Sequence, residues 1–158
     1  MVHIARDNGR YTFMPRCAPG VPIILGDARL KLQEVPAQSY DLLAIDAFSS
    51  DAIPLHLLTS EAFATYARAL SPRGLLLVHI SNRFIELEPV LAALAQKGWT
   101  LTDILVTHHH KDHIGGIEEL RAQWPGVRVT APLADSNRIP GADLYVREGD
   151  SVDVGAIR

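Results

Sequence analysis

Thr107-His108-His109-His110-Lys111-Asp112-His113-Ile114-Gly115-Gly116 decides how this chain is read. Four of the seven histidines fall within it, directly after the apolar run Ile104-Leu105-Val106. Such a run, closed by a polar cluster and two glycines, predicts a buried strand ending in a loop. Beyond it Ile117, Leu120 and Trp124 recur three to four residues apart, which predicts a helix with one apolar face. The histidines therefore stand where a strand passes into a helix. Side chains alternate along extended backbone, so His108 and His110 point one way and His109 the other. The first helical turn brings Asp112 and His113 round to the same hollow, and Gly115-Gly116 permits close backbone packing there. Three imidazoles and a carboxylate converging on one point suit zinc or a similar borderline ion. A purification tag would be terminal and uninterrupted, and this cluster is neither.

Length and composition bound the rest. A chain of 158 residues holds one ordinary domain with a sizeable core and is short for two. Hydrophobic residues at 47% and charged residues at 21% are globular values. A formal net charge of −3 gives no electrostatic reason to expect nucleic acid. No apolar run approaches the ~20 residues that span a bilayer, and the start Met1 to Asp7 lacks the features of a signal peptide. Cys17 is the only cysteine, so no internal disulfide forms and thiolates cannot build a metal site. A cytoplasmic setting is the expectation. His3, His56 and His79 stand apart and are expected to be structural or exposed. Arg121 and Arg128 are read as solvated, and Trp99 and Trp124 as core or edge residues.

Taken in order, residues 1–20 are broken by Gly9, Pro15 and Ala18-Pro19-Gly20 and predict loop with a short helix. Val21 to Leu25 predicts a strand, as does Tyr40 to Asp46. These aliphatic runs lack clean alternation, which suits a parallel sheet covered on both faces. A helix is expected from Leu57 to Leu70, capped by Thr59-Ser60-Glu61 and closed by Pro72-Arg73-Gly74. Leu75 to Ile80 predicts a further strand, followed by an amphipathic helix reaching Lys97. Leu144 to Val146 predicts a last strand, with a hairpin around Gly149-Asp150. The class is α/β, strands alternating with helices through right-handed crossovers.

The motif His108-x-His110-x-Asp112-His113, followed by Gly115-Gly116 and a helix, resembles the metallo-β-lactamase superfamily. Trp124-Pro125-Gly126, Val127 to Pro132, Arg138-Ile139-Pro140-Gly141 and Glu148-Gly149-Asp150 are similar to its glyoxalase II (hydroxyacylglutathione hydrolase) branch. The resemblance covers residues 96–158 and implies a partial αββα half. It implies one metal on His108 and His110 and a second on Asp112 and His113. One or two zinc ions are expected, with iron and manganese as alternatives. An ion so held would lower the pKa of a bound water, beside Asp112, toward ~7 and supply hydroxide for hydrolysis. The implied substrate is a small molecule, a thioester of glutathione with a 2-hydroxy acid. In that branch a third histidine, a bridging aspartate and a last histidine complete the site. No histidine follows His113 here, and Asp135, Asp143, Asp150 and Asp153 match no bridging motif. Reduced turnover is therefore expected.

Residues 2–95 resemble a different family. Gly26-Asp27-Ala28-Arg29-Leu30, Tyr40 to Pro54 and His79-Ile80-Ser81-Asn82-Arg83 look like the spermidine synthase branch of the class I methyltransferase fold, a partial Rossmann-like sheet. That resemblance implies S-adenosylmethionine or its decarboxylated form as cofactor, with Asp27 at the adenine and Asp46 at an amine substrate. The family's Gly-x-Gly-x-Gly loop, which would supply backbone donors for the cofactor, has no counterpart in this sequence. Turn and strand-end roles for Asp27 and Asp46 are the competing expectation. The two resemblances meet near residues 88–95, which gives fragments 1–95 and 96–158, or one merged α/β domain. Three functions follow: a metal-dependent hydrolase, an aminopropyl- or methyltransferase, and an inert fusion or scaffold. Incompletely covered half-cores would leave exposed sheet edges open to self-association.

Overall fold

A computed structural model describes residues 12–47, 54–80, 94 and 98–155. Two parallel sheets organise them. In the first, β1 (Tyr40–Ile45) lies beside β2 (Leu70–Val78). In the second the order is β3 (Asp103–Leu105), β4 (Arg128–Pro132), β5 (Leu144–Val146), both pairings parallel. Helices α1 (Phe13–Cys17), α2 (Ala28–Glu34) and α3 (Ser60–Ala69) belong to the first half, α4 (Lys111–Ile114) and α5 (Ile117–Gln123) to the second.

Side-chain capping sets the starts of α2 and α3. Asp27 accepts a hydrogen bond from Leu30 N at 3.0 Å and starts α2. Thr59 accepts from Ala62 N at 3.2 Å and starts α3, as its sequence predicted. Each such cap satisfies one of the amide donors that a helix start leaves open, worth about 0.5–2 kcal/mol. Helix α3 buries Ala62, Phe63, Tyr66 and Ala69. Phe63 and Tyr66 join Ile45, Leu57 and Leu58 in the first core cluster, with Trp99 against its edge. The Phe63 ring meets Tyr66 and Trp99 edge-on, with centroids 5.6 and 6.4 Å away.

Register decides which strand residues join this core. Leu43 pairs with Leu76 and Ile45 with Val78, and all four face the cluster. Leu42 pairs with Leu75 and Ala44 with Leu77, on the opposite face. Leu42 and Leu77 each remain 49% exposed. The expected coverage of both faces is thus corrected: α2 and α3 both pack on the Ile45 side, through Leu32 and Phe63. Strand β2 also starts earlier than expected. It runs through Pro72-Arg73-Gly74, which the ladder absorbs by an irregularity between Tyr40 and Leu42.

The expected strand over Val21 to Leu25 is absent; Ile24 and Leu25 are exposed and no ladder includes them. Pro22 has no amide hydrogen to give a ladder, and among the described residues no strand pairs with this segment. The helix expected to reach Lys97 falls mostly outside the described residues, as does His3.

In the second sheet β4 is central and its residues Val129 and Ala131 are 1% exposed. They form the second core cluster with Val106 and Ile139, flanked by Ile104, Ile114, Ile117 and Tyr145. Arg121 and Arg128 are partly solvated, as expected, and are paired as well. Arg121 bonds Gly141 O and the Asp143 carboxylate at 2.8 and 2.7 Å, and Asp143 also accepts from Val129 N at 2.7 Å. Arg128 is held by Asp103 and by the Asp153 carbonyl. Gly149-Asp150 forms a tight turn in which Asp150 N donates to Arg147 O and its carboxylate accepts from Arg147 N. The merged single sheet considered from sequence does not form among the described residues, where the two ladders stay separate.

Candidate functional site

The carboxyl ends of both sheets converge on one place, as ligand sites of parallel sheets do. Strand β3 continues one bond further, Val106 N donating to Thr130 O at 2.9 Å, and then the chain turns out. His110 caps α4 with extended backbone, and the amides of His113 and Ile114 return to its carbonyl at 2.9 and 3.1 Å. Gly115 closes the turn. A Cβ there would sit 2.7 Å from Lys111 O, so the close approach requires glycine.

His108 and His110 come together, as the alternation predicts, although His109 does not leave them. His108 Nε2 lies 3.1 Å from His110 Nδ1, with ring centroids 4.5 Å apart. His113 comes round the helical turn to lie against His108, with centroids 3.9 Å apart and the ring planes at 48°. Asp112 Oδ2 lies 3.7 Å from His113 Nε2. His109 is held by Asp135, whose carboxylate oxygens are both 3.1 Å from its Nδ1, while its ring stays 5.1 Å from that of His110. Arg138 adds contacts to the same ring at 3.2 Å. The bond from His109, above all, holds the Asp135 carboxyl below the usual carboxylate range, against the effect of burial. This pair staples the histidine loop to the segment that follows β4.

Sequence reasoning missed Thr107. Its hydroxyl stands 3.0 Å from His108 Nδ1 and 3.2 Å from His113 Nδ1. One hydroxyl donates a single proton, so at most one of these nitrogens accepts from it and the other must donate. Burial first, then the neighbouring His108, holds the His113 imidazole below the usual histidine range, against the pull of Asp112. A neutral imidazole is the form that ligates a metal.

His79 was expected to stand alone. Instead it is the residue after the last β1–β2 pair, its amide donating to Ile45 O at 2.9 Å. Its Nδ1 is 2.7 Å from Asp46 Oδ1, and its ring centroid is 6.1 Å from that of His113. His56 is not isolated either: its Nε2 is 2.9 Å from Asp27 Oδ2. Asp27 and Asp46 thus have the turn and strand-end roles set against cofactor binding. The bond from Leu30 N is the chief reason the Asp27 carboxyl lies below the usual range.

The donors fit a borderline ion along one edge. Zinc–nitrogen bonds of ~2.0–2.1 Å place two tetrahedral ligand atoms about 3.4 Å apart. The 3.1 Å between His108 Nε2 and His110 Nδ1 is close to that separation. Among the described residues, no group of three or more His, Cys, Asp or Glu side chains is placed to hold a metal ion. A groove of about 530 Å³ opens at the ends of β4 and β5, lined by Pro132, Leu133, Ala134, Val146, Arg147 and Glu148.

Comparison with known proteins agrees with this corner. Residues 45–153 match the metallo-beta-lactamase superfamily, and the chain belongs to that family. Hydroxyacylglutathione hydrolase of Rhodopseudomonas palustris strain BisB18 is 60% identical over 72 residues, 46% of this chain and 28% of that protein. The strain BisA53 protein of the same name is 56% identical over 72 residues, with the same shares covered. That of Cereibacter sphaeroides strain ATCC 17029 is 55% identical over 71 residues, 45% of this chain and 28% of its own length. The chain thus spans just over a quarter of the length of these curated relatives. The family match starts at residue 45, well before the join expected near 88–95. These comparisons give the spermidine synthase resemblance no support. No helix among the described residues is long and apolar enough to cross a membrane.

Proposed function

We propose that this chain carries the metal-binding corner of a hydrolase that cleaves thioesters of glutathione with 2-hydroxy acids. The observation that carries the reading is the facing pair His108 Nε2 and His110 Nδ1, 3.1 Å apart at the exit of β3. Support comes from the family match and from the named activity of relatives 50–60% identical over this part. In this reading His108 and His110 hold one zinc ion, and Asp112 with His113 hold a second or complete the first. When bound, the ion supplies Lewis acidity and a water that ionises near neutral pH. The chain's own residues do the rest. Thr107 fixes the tilt of His108 and His113, and the His109–Asp135 pair anchors the loop between them.

The test is zinc content and thioester hydrolysis of the purified chain, beside the double variant His110→Ala, Asp112→Ala. Zinc bound by the wild type and lost from the variant, with hydrolysis falling in parallel, is the expected result. Equal zinc in both proteins removes the basis of the reading.

A further inference from the structure

We propose that Thr107 is a positioning residue whose hydroxyl holds His108 as the Nδ1–H tautomer, so that Nε2 carries the lone pair turned toward His110. The inference concerns the chain without added metal. It goes beyond the hydrolase reading and does not rest on it.

A neutral imidazole has one N–H and one lone pair, and the partners of its two nitrogens decide which is which. His108 has a partner at each: Nδ1 lies 3.0 Å from Thr107 Oγ1, and Nε2 lies 3.1 Å from His110 Nδ1. On the far side of the same hydroxyl stands His113 Nδ1, at 3.2 Å. A hydroxyl offers one proton and two lone pairs, so three arrangements exist. Thr107 donates to His113 and accepts from His108, or accepts from both rings, or donates to His108 and accepts from His113. The first two make His108 the Nδ1–H form. The third makes His113 the Nδ1–H form and leaves a lone pair on its Nε2, 3.7 Å from the Asp112 carboxylate. A negative oxygen at that range favours an N–H over a lone pair, which sets the third arrangement aside.

His110 follows from the same count. With His108 Nε2 accepting, His110 Nδ1 must donate across the 3.1 Å contact. Donation then runs from His110 to His108 and from His108 to Thr107. Local backbone builds this order: His110 starts α4 with its backbone extended, and the single turn brings His113 back to the hydroxyl. Valine at position 107 would keep the β-branched shape and remove the oxygen.

The experiment is two-bond proton–nitrogen NMR of the nitrogen-15-labelled chain, treated with chelator and held at pH 8, above the ordinary histidine pKa of ~6.5. The ring signals of His108 are those missing from His108→Gln. Wild type, Thr107→Ser and Thr107→Val are compared, circular dichroism confirming the fold of each. His108 is expected as the Nδ1–H form in wild type and Thr107→Ser, and to lose that form in Thr107→Val. An Nε2–H ring at His108 in the wild type overturns the proposal. So does an Nδ1–H form that persists in folded Thr107→Val, because its cause then lies elsewhere. Should Thr107→Val not fold, Thr107→Ala takes its place with the same two outcomes. The spectra are recorded without metal, so they stand whether or not the zinc and hydrolysis measurements bear out the hydrolase reading.

Discussion

Tyr66 is wholly buried, and its hydroxyl donates to the carbonyl of Leu57 at 2.9 Å. Burial pushes its phenol from 10.0 up to about 12, with Arg29 opposing the shift. The folded chain thus holds this proton more tightly than the unfolded chain does. The resulting stability is complete below pH ~10 and is lost as pH rises from there to about 12. Tyr66→Phe should cost about 1 kcal/mol at pH 8 by leaving the Leu57 carbonyl without its donor. It should also flatten the alkaline decline. Urea denaturation at pH 8 and at pH 11, for wild type and variant, checks both; an unchanged alkaline slope would contradict the assignment. Thr107 shows the limit of residue-by-residue reading. A threonine before a histidine cluster carries no signal of its own, and only the helical turn that returns His113 puts its hydroxyl between two rings.

At the scale of elements, α4 is a single turn whose geometry depends on Gly115. Its amide donates to Lys111 O at 2.8 Å, and an added Cβ would meet the same oxygen at 2.7 Å. Gly115→Ala should therefore displace that carbonyl and destabilise the chain by about 1–3 kcal/mol. Because Asp112 and His113 lie within the turn, zinc affinity should fall as well. Gly116→Ala is the contrast: a Cβ there finds only Glu119 Oε2, at 3.9 Å, and should have little effect. Thermal melts with zinc titration of both variants decide the matter, and equal behaviour would refute the steric argument. The pattern after β3 was readable because alternation and helical return are properties of local backbone. The strand expected at Val21 to Leu25 was not, because a strand exists only when another pairs with it, and among the described residues no ladder includes this segment.

For the molecule as a whole, two core clusters with no shared member lie in two sheets whose ladders do not join among the described residues. Contacts at the site, such as His79 against His113, link them. Phe63→Ala should remove about 3–5 kcal/mol from the first cluster. In single-tryptophan backgrounds, the urea transition reported by Trp99 should shift further than that reported by Trp124. Equal shifts would show one cooperative unit. Sequence by itself determined the alternating α/β order, the Thr59 cap and the approach of His108 to His110, which follow from periodicity and from contacts a few residues apart, while the family was legible only through the resemblance of the motif. Only the tertiary structure decided that α2 and α3 cover one sheet face, that Asp135 holds His109, and that Asp46 and His79 arrive beside His113. Those pairings join residues 26 to 34 positions apart, and strand register, which no local pattern encodes, is what sets them side by side.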